Sequence, residues 1–284
     1  MALISLDRLK THRTRTFNLP PAKRLATPAQ ALAFVNKRGF IYFWPIKDID
    51  LPSLWAAVAG DRPVADKHDD PGHITWGWKD NALDKKIWYY AKLLRKKATL
   101  ISLDLAPCFY ALSENYGAPE EDYLIAYEEG RLSQAAKQVY EALLKEGPLN
   151  TLDLRSIAKL TNAKESEFNK ALEYLQADFK ILPVGVAQAG AWKYSFIYEI
   201  VTRHYPALAE QARLISEKAA RAKLLEHYFE SVGVAQASDA QKLFGWQKEL
   251  TARTLATLVT NNTVIEAEHP KHKGTWLALP KLVK

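Results

Sequence analysis

The sequence predicts a mainly helical α+β chain of three tandem winged-helix units, each a helix-turn-helix closed by a β-hairpin. Two observations carry this. The order helix, short helix, helix, hairpin occurs twice in the second half at nearly constant spacing, and the first half repeats it with an insertion. Size agrees: 284 residues, 48% apolar and 25% charged, supply cores for two or three small domains.

Residues 1–26 read as a basic N-terminal arm. A first unit covers 27–106. Thr27 and Pro28 form an N-cap with proline at the first helical position, and Gly39 ends that helix. GFIYFWP is then extended and aromatic. Asp50 is placed to cap LPSLWAAVAG, HITWGWKDNALDK is a third helix, and KIWYYAKLL and ATLISLDL form a hairpin around Arg95, Lys96 and Lys97. Residues 107–130 read as a helical connector.

The second unit covers 131–203. Ser133 opens SQAAKQVYEALLKEG, which Gly147 and Pro148 stop. Thr151 is placed to cap LDLRSIAKL, and AKESEFNKALEYLQADF follows. KILPVGVA and WKYSFIYEI are strands about a Gln-Ala-Gly tip. The third unit covers 204–284: Ser216 opens a helix that Gly233 stops, Ser238 is placed to cap DAQKLFGW, and a helix spans about Gln247 to Thr260. TVIEAEH and TWLALP then flank the tip PKHKG. Ser133 to Ser216 is 83 residues and Gly147 to Gly233 is 86, so the match is one of spacing as well as order.

Charge is unevenly placed. Residues 1–38 hold eight basic side chains and one acid, which accounts for the whole net charge of +7; the remainder holds 31 of each sign. Lys85, Lys86, Lys92, Arg95, Lys96 and Lys97 form a second basic cluster. Such stripes attract polyanions by releasing counterions, which points to nucleic acid. In the second unit the third helix is acidic, with Glu165, Glu167 and Glu173, which argues against its insertion in a groove. No run reaches the roughly 18 apolar residues of a membrane helix, so no membrane contact is expected. The one cysteine, Cys108, forms no internal disulfide and fits a reducing cytoplasm.

Chemistry-bearing patterns are few. Asp66, His68, Asp69, Asp70 and His73 are metal-type residues, but they lack the spacing of a known metal motif and read as a solvated loop. No phosphate loop, dinucleotide fingerprint or nucleophile elbow occurs, so no cofactor and no metal are expected. Tyr42, Phe43, Trp44, Trp55, Trp76, Trp78, Trp88, Tyr89 and Tyr90 crowd the first unit. Strand alternation puts Tyr42 and Trp44 on one face and Ile41 and Phe43 on the other, leaving Tyr42 and Trp44 either core or a stacking surface for bases.

KRGFIYFWP, the following LPSLW and the segment GHITWGWKD resemble the AlkZ/YcaQ-type DNA glycosylases and their relatives with winged-helix DNA-binding domains, over about residues 24–280. Members carry a Leu-Gly-x-x-Gln-x-Asp or Gln-x-Gln strand and a later Leu-Trp element; Gly39 matches the glycine and Leu54-Trp55 the later element. The resemblance implies a scaffold whose first strand faces a damaged nucleotide, with a carboxylate or carboxamide that aligns water against an oxocarbenium-like sugar. The two catalytic positions are Tyr42 and Trp44 here, and neither side chain does that work; Asp48, Asp50 and Asp80 are the nearest substitutes. The expected partner is double-stranded DNA, damaged or intact, held through the arm, Arg38, Tyr42, Trp44, Lys85, Lys86, Arg95, Lys96, Lys97, Lys271 and Lys273; the sequence leaves the oligomeric state open, with a monomer as the default. Three readings stay open: a DNA-binding repair protein without catalysis, an active glycosylase of altered chemistry, and a protein-interaction or transcription-regulator module.

Overall fold

The computed structural model, which describes residues 2–190 and 193–284, is about half helical and contains three small sheets. The segment expected to be an arm is folded. β1 (Ala2–Leu3) pairs in parallel with a strand near the C-terminus, and α1 (Leu6–Thr16) follows it. Leu9, His12 and Thr16 are buried, whereas Asp7, Arg8, Lys10 and Arg15 are exposed. α1 is therefore amphipathic, and its apolar side lies on α12, described below.

One order of elements then occurs three times. First come α2 (Pro28–Arg38), β2 (Phe40–Tyr42), α3 (Leu54–Ala59), α4 (Ile74–Asp80), β3 (Tyr89–Lys92) and β4 (Ala98–Ile101). Two short helices, α5 (Ala106–Tyr110) and α6 (Asp122–Glu128), lead on. The second set is α7 (Gln134–Glu146), β5 (Leu149–Asn150), α8 (Thr151–Ile157), α9 (Glu165–Ala177), β6 (Ile181–Ala187) and β7 (Ser195–Ile200). After α10 (Val201–His204) and α11 (Leu208–Arg213), the third is α12 (Glu217–Val232), β8 (Val234–Ala235), α13 (Ala237–Phe244), α14 (Lys248–Thr260), β9 (Ile265–His269) and β10 (His272–Ala278). The sheets run β2-β4-β3, β5-β7-β6 and β1-β9-β10-β8, so in each the strand after the first helix pairs with the last strand of the hairpin. Of the expected strand WKYSFIYEI, Trp192 lies outside the described residues.

The helix starts follow side-chain capping. The hydroxyls of Thr27, Ser133 and Ser216 accept from the backbone N–H three residues on, at 3.2, 3.2 and 3.3 Å. Three other caps fall elsewhere than expected. Ser53 rather than Asp50 caps α3, because the Tyr42 N–H bonds the Pro52 carbonyl at 3.0 Å and keeps the chain extended past Asp50. Asn150 rather than Thr151 caps α8, since the Thr151 hydroxyl donates to the Phe196 carbonyl. A Gln236–Asp239 capping box, not Ser238, opens α13. Gly39 turns α2 into β2 at φ 78°, and a Cβ there would lie 2.7 Å from Leu105 and 2.9 Å from His227.

The first sheet is buried on both faces. Ile41, Phe43, Tyr90 and Leu100 pack with α2 and α3. Phe40, Tyr42, Tyr89 and Ile101 join a second core with the third set of elements, where the Phe40 ring meets Phe109 at 5.4 Å and Phe244 at 5.8 Å. α9 packs on β3, and the tip of the β3–β4 hairpin lies against α9 and α13. Among the described residues no helix is long and apolar enough to cross a membrane.

Candidate nucleic-acid interface

The folded N-terminus gathers its charge on one side. Lys10, Arg15, Lys23 and Lys37 line an open groove of about 800 Å³ beside α1, with Asp7 as its one acid. None of the four forms a salt bridge among the described residues. Arg15 and Asp7 also line a smaller adjoining pocket with Arg8 and Lys281. Cations from α1, the turn after it and α2 thus face one space, an arrangement that favours a polyanion.

The other expected contacts divide. Lys85, Lys86, Arg95, Lys96, Lys97, Lys271 and Lys273 are exposed. Arg95 and Lys96 have left-handed backbone, φ 53° and 56°, at the hairpin tip, and the Lys96 ammonium lies 5.9 Å over the Tyr174 ring. Lys92 is spent on Glu173 at 2.8 Å, which also explains one acid of α9: that helix faces the first hairpin. Arg38 is not a surface contact. It is 8% exposed, because α12 covers the last turn of α2, and its guanidinium donates to the Glu230 carbonyl at 3.4 Å.

Tyr42 is wholly buried and offers no stacking face; its far side is covered by the third set of elements, a contact no local pattern shows. Its hydroxyl lies 3.5 Å from the Leu94 carbonyl, and burial pushes its pKa up to about 12, opposed by Arg95. Trp44 is half-buried. Its ring lies 4.7 Å from Phe43, 5.4 Å from Trp55 and 6.0 Å from both His73 and Trp76. Trp76 is 40% exposed, so part of this cluster reaches solvent. The adjoining loop, residues 61–70, holds four aspartates against Arg62 and Lys67, which repels a phosphate backbone there.

The same loop uses its metal-type residues structurally. Asp70 takes Arg62 at 2.5 Å and the Gly72 N–H at 2.7 Å; the Arg62 hydrogen bond, then that from Gly72, hold its carboxyl below the usual range. His73 bonds the Ala65 carbonyl at 2.9 Å. Among the described residues no three metal-type side chains converge. Of the substitute carboxylates, Asp50 pairs with Arg13 at 2.8 Å, and Asp48 is exposed, its carbonyl taking Lys242 at 3.0 Å. Asp80 is bound to a group that the sequence did not reveal: Lys79, 4% exposed, holds its ammonium 2.8 Å from Asp80 and 3.0 Å from the Tyr194 hydroxyl. Rings of Phe43, Trp76, Tyr90, Tyr194 and Phe196 surround that ammonium at 4.5 to 5.6 Å. Burial lowers the Lys79 pKa, with Asp80 opposing.

Two histidines make a pH prediction. Burial first, then neighbouring cations (Lys281 and Arg15 for His12, Lys86 for His204), lower both to about 4 from 6.5. The folded state keeps them neutral while the unfolded chain takes protons below 6.5, so their contribution is complete above 6.5 and is lost as pH falls through 4. Allowing for solvent screening, about 1–2 kcal/mol should be lost for the pair. Denaturant melts at pH 7, 5.5 and 4 measure this, and His12→Gln with His204→Gln should shrink the loss; an equal loss without them contradicts it.

The geometry defines a class: a scaffold of three like-ordered α+β units with positive charge gathered on one side. The chain belongs to the AlkZ-related family, whose profile matches residues 25–245. It is similar in fold to the Streptomyces sahachiroi DNA glycosylase AlkZ, with a TM-score of 0.59 and 12% identity, over 98% of this chain and 71% of that one. Among curated protein sequences none matches.

Proposed function

We propose that this protein is a DNA-binding member of its family, built of three tandem winged helices, that holds double-stranded DNA without hydrolysing a glycosidic bond. The observation that carries the reading is the groove where Lys10, Arg15, Lys23 and Lys37 converge against the single acid Asp7. Counterion release from a duplex is the natural use of four cations in one groove that form no salt bridge among the described residues. The exposed hairpin tips with Arg95 to Lys97 and with Lys271 and Lys273 support it, since such tips reach backbone or minor groove. Loss of catalysis is supported by the two motif positions. Tyr42 has no surface to offer a substrate, and Trp44 has only an indole N–H and no basic atom.

Affinity for a 20-base-pair duplex across a salt series tests the groove. The triple substitution Lys10→Ala, Lys23→Ala, Lys37→Ala should reduce the log–log slope by about 0.9 for each phosphate that is no longer neutralised. An unchanged slope would remove the groove from the interface. Incubation with N-alkylated and crosslinked duplexes should release no base. Release would instead favour the active-glycosylase reading, supported by the likeness to AlkZ, and Asp80→Asn would then be compared first.

A further inference from the structure

We infer that the apolar pocket beside α11 is a docking surface for a second copy of this chain, with Leu214 of each copy seated in the pocket of the other. The pocket has a volume of about 660 Å³, and Leu103, Pro107, Tyr205, Leu208 and Ile215 give it an apolar lining. Leu214 also borders it and is 89% exposed, more than any other large apolar side chain among the described residues. Single exposed apolar side chains are ordinary on a monomer, but one that stands beside an apolar hollow is a knob next to a hole. The knob is held in place. Leu214 ends α11, the Ile215 N–H bonds the Ala212 carbonyl at 2.9 Å, and Ser216 caps α12. Little ordering is therefore left for binding to impose.

Symmetry and charge identify the occupant. A two-fold interface is self-complementary, so one patch must carry both halves of every contact. Knob and hole share a patch here, and so do two opposite charges. Lys86 and Asp104 both border the pocket, both are exposed, and neither forms a salt bridge among the described residues. In a two-fold pair Lys86 of one copy faces Asp104 of the other, and the contact is made twice. A small apolar ligand has no use for both signs at the rim. Burial of Leu214 supplies the affinity, and the charges fix the register and exclude wrong partners. The inference goes beyond the duplex reading and requires no DNA.

Sedimentation equilibrium of the full chain, from micromolar to submillimolar concentration at low salt, tests it. The parent chain should pass from one chain mass to two. Leu214→Ala should raise the dissociation constant about tenfold or more, because each pair loses two buried side chains. Leu214→Glu should leave a monomer, since a carboxylate would have to enter an apolar pocket. Lys86→Glu and Asp104→Lys should each leave a monomer as well, because like charges then meet twice. Mixed in equal amounts, those two variants should pair with each other, as every contact then joins opposite charges. All these side chains are exposed in the single chain, and thermal melts confirm that each variant folds. A parent chain that stays monomeric at every concentration overturns the proposal and leaves the pocket to another protein or a small apolar ligand. Pairing that survives Leu214→Glu or both charge reversals, or a mixture that fails to pair, overturns it too, because the copies then meet through some other face.

Discussion

A chain that starts at Asn18 should lose about 3–6 kcal/mol of stability, because Ile4 and Leu9 leave the core and burial of one such side chain is worth about 1.5–3 kcal/mol. Both are nearly fully buried, and Leu6 and Phe17 pack beside them. Hydrogen bonds go with them. Arg13 donates to the carbonyls of Val232 and Val234, at 2.9 and 3.2 Å, and the Thr16 hydroxyl to Ser231 at 2.6 Å. β9 would become an unpaired edge, and the Lys284 N–H would lose the Leu3 carbonyl at 2.9 Å. The loss corresponds to a Tm lower by roughly 10 °C or more. Calorimetry of the truncated chain beside Lys10→Ala, Lys23→Ala, Lys37→Ala separates packing from charge. The triple variant should melt near the parent temperature. A truncated chain that also does so would return the segment to the status of a loose arm.

Much of the architecture was legible because its signals are local. Thr27, Ser133 and Ser216 cap where a hydroxyl precedes an apolar period, and Gly39 and Gly233 sit where the chain needs positive φ, at 78° and 80°. Alternation separated Ile41 and Phe43 from Tyr42, but Trp44, expected on the Tyr42 face, packs instead with the core that holds Ile41 and Phe43, because β2 ends at Tyr42 and the chain turns from the strand there. The errors arose where one unit covers another. Arg38 looks exposed from its neighbours in sequence and is buried by α12, about 190 residues on, and Tyr42, left open between core and stacking surface, lies in the core shared with the third set of elements. In α1 five charges among eleven residues concealed a buried side whose partner is the last unit. The charge count nevertheless located the groove, since Lys10, Arg15, Lys23 and Lys37 all belong to that stretch. Lys79 and Asp80 are adjacent in sequence, but Tyr194 comes from 114 residues beyond Asp80, so the cage left no local trace.

Asp80→Ala should cost about 3–5 kcal/mol, the range for leaving one member of a buried ion pair alone. The Lys79 side chain is 5% exposed and that of Asp80 20%, so removal of the carboxylate strands an ammonium that cannot reach water. Five ring faces remain, but cation–π attraction offers about 2 kcal/mol or less each and is shared among rings at unequal distances. Lys79→Met should cost much less, about 1 kcal/mol, because it keeps the volume among the rings and leaves Asp80 with solvent and the Tyr194 hydroxyl at 3.0 Å. Denaturant unfolding of the two variants reads that order. Equal losses would mean the rings hold the cation without the carboxylate. A greater loss in Lys79→Met would mean the ammonium is what joins α4 to the β6–β7 hairpin of the second unit. In the expected order, the pair sets which way the units dock while apolar packing supplies the stability, and a double substitution, Lys79→Met with Asp80→Asn, should recover most of what Asp80→Ala loses.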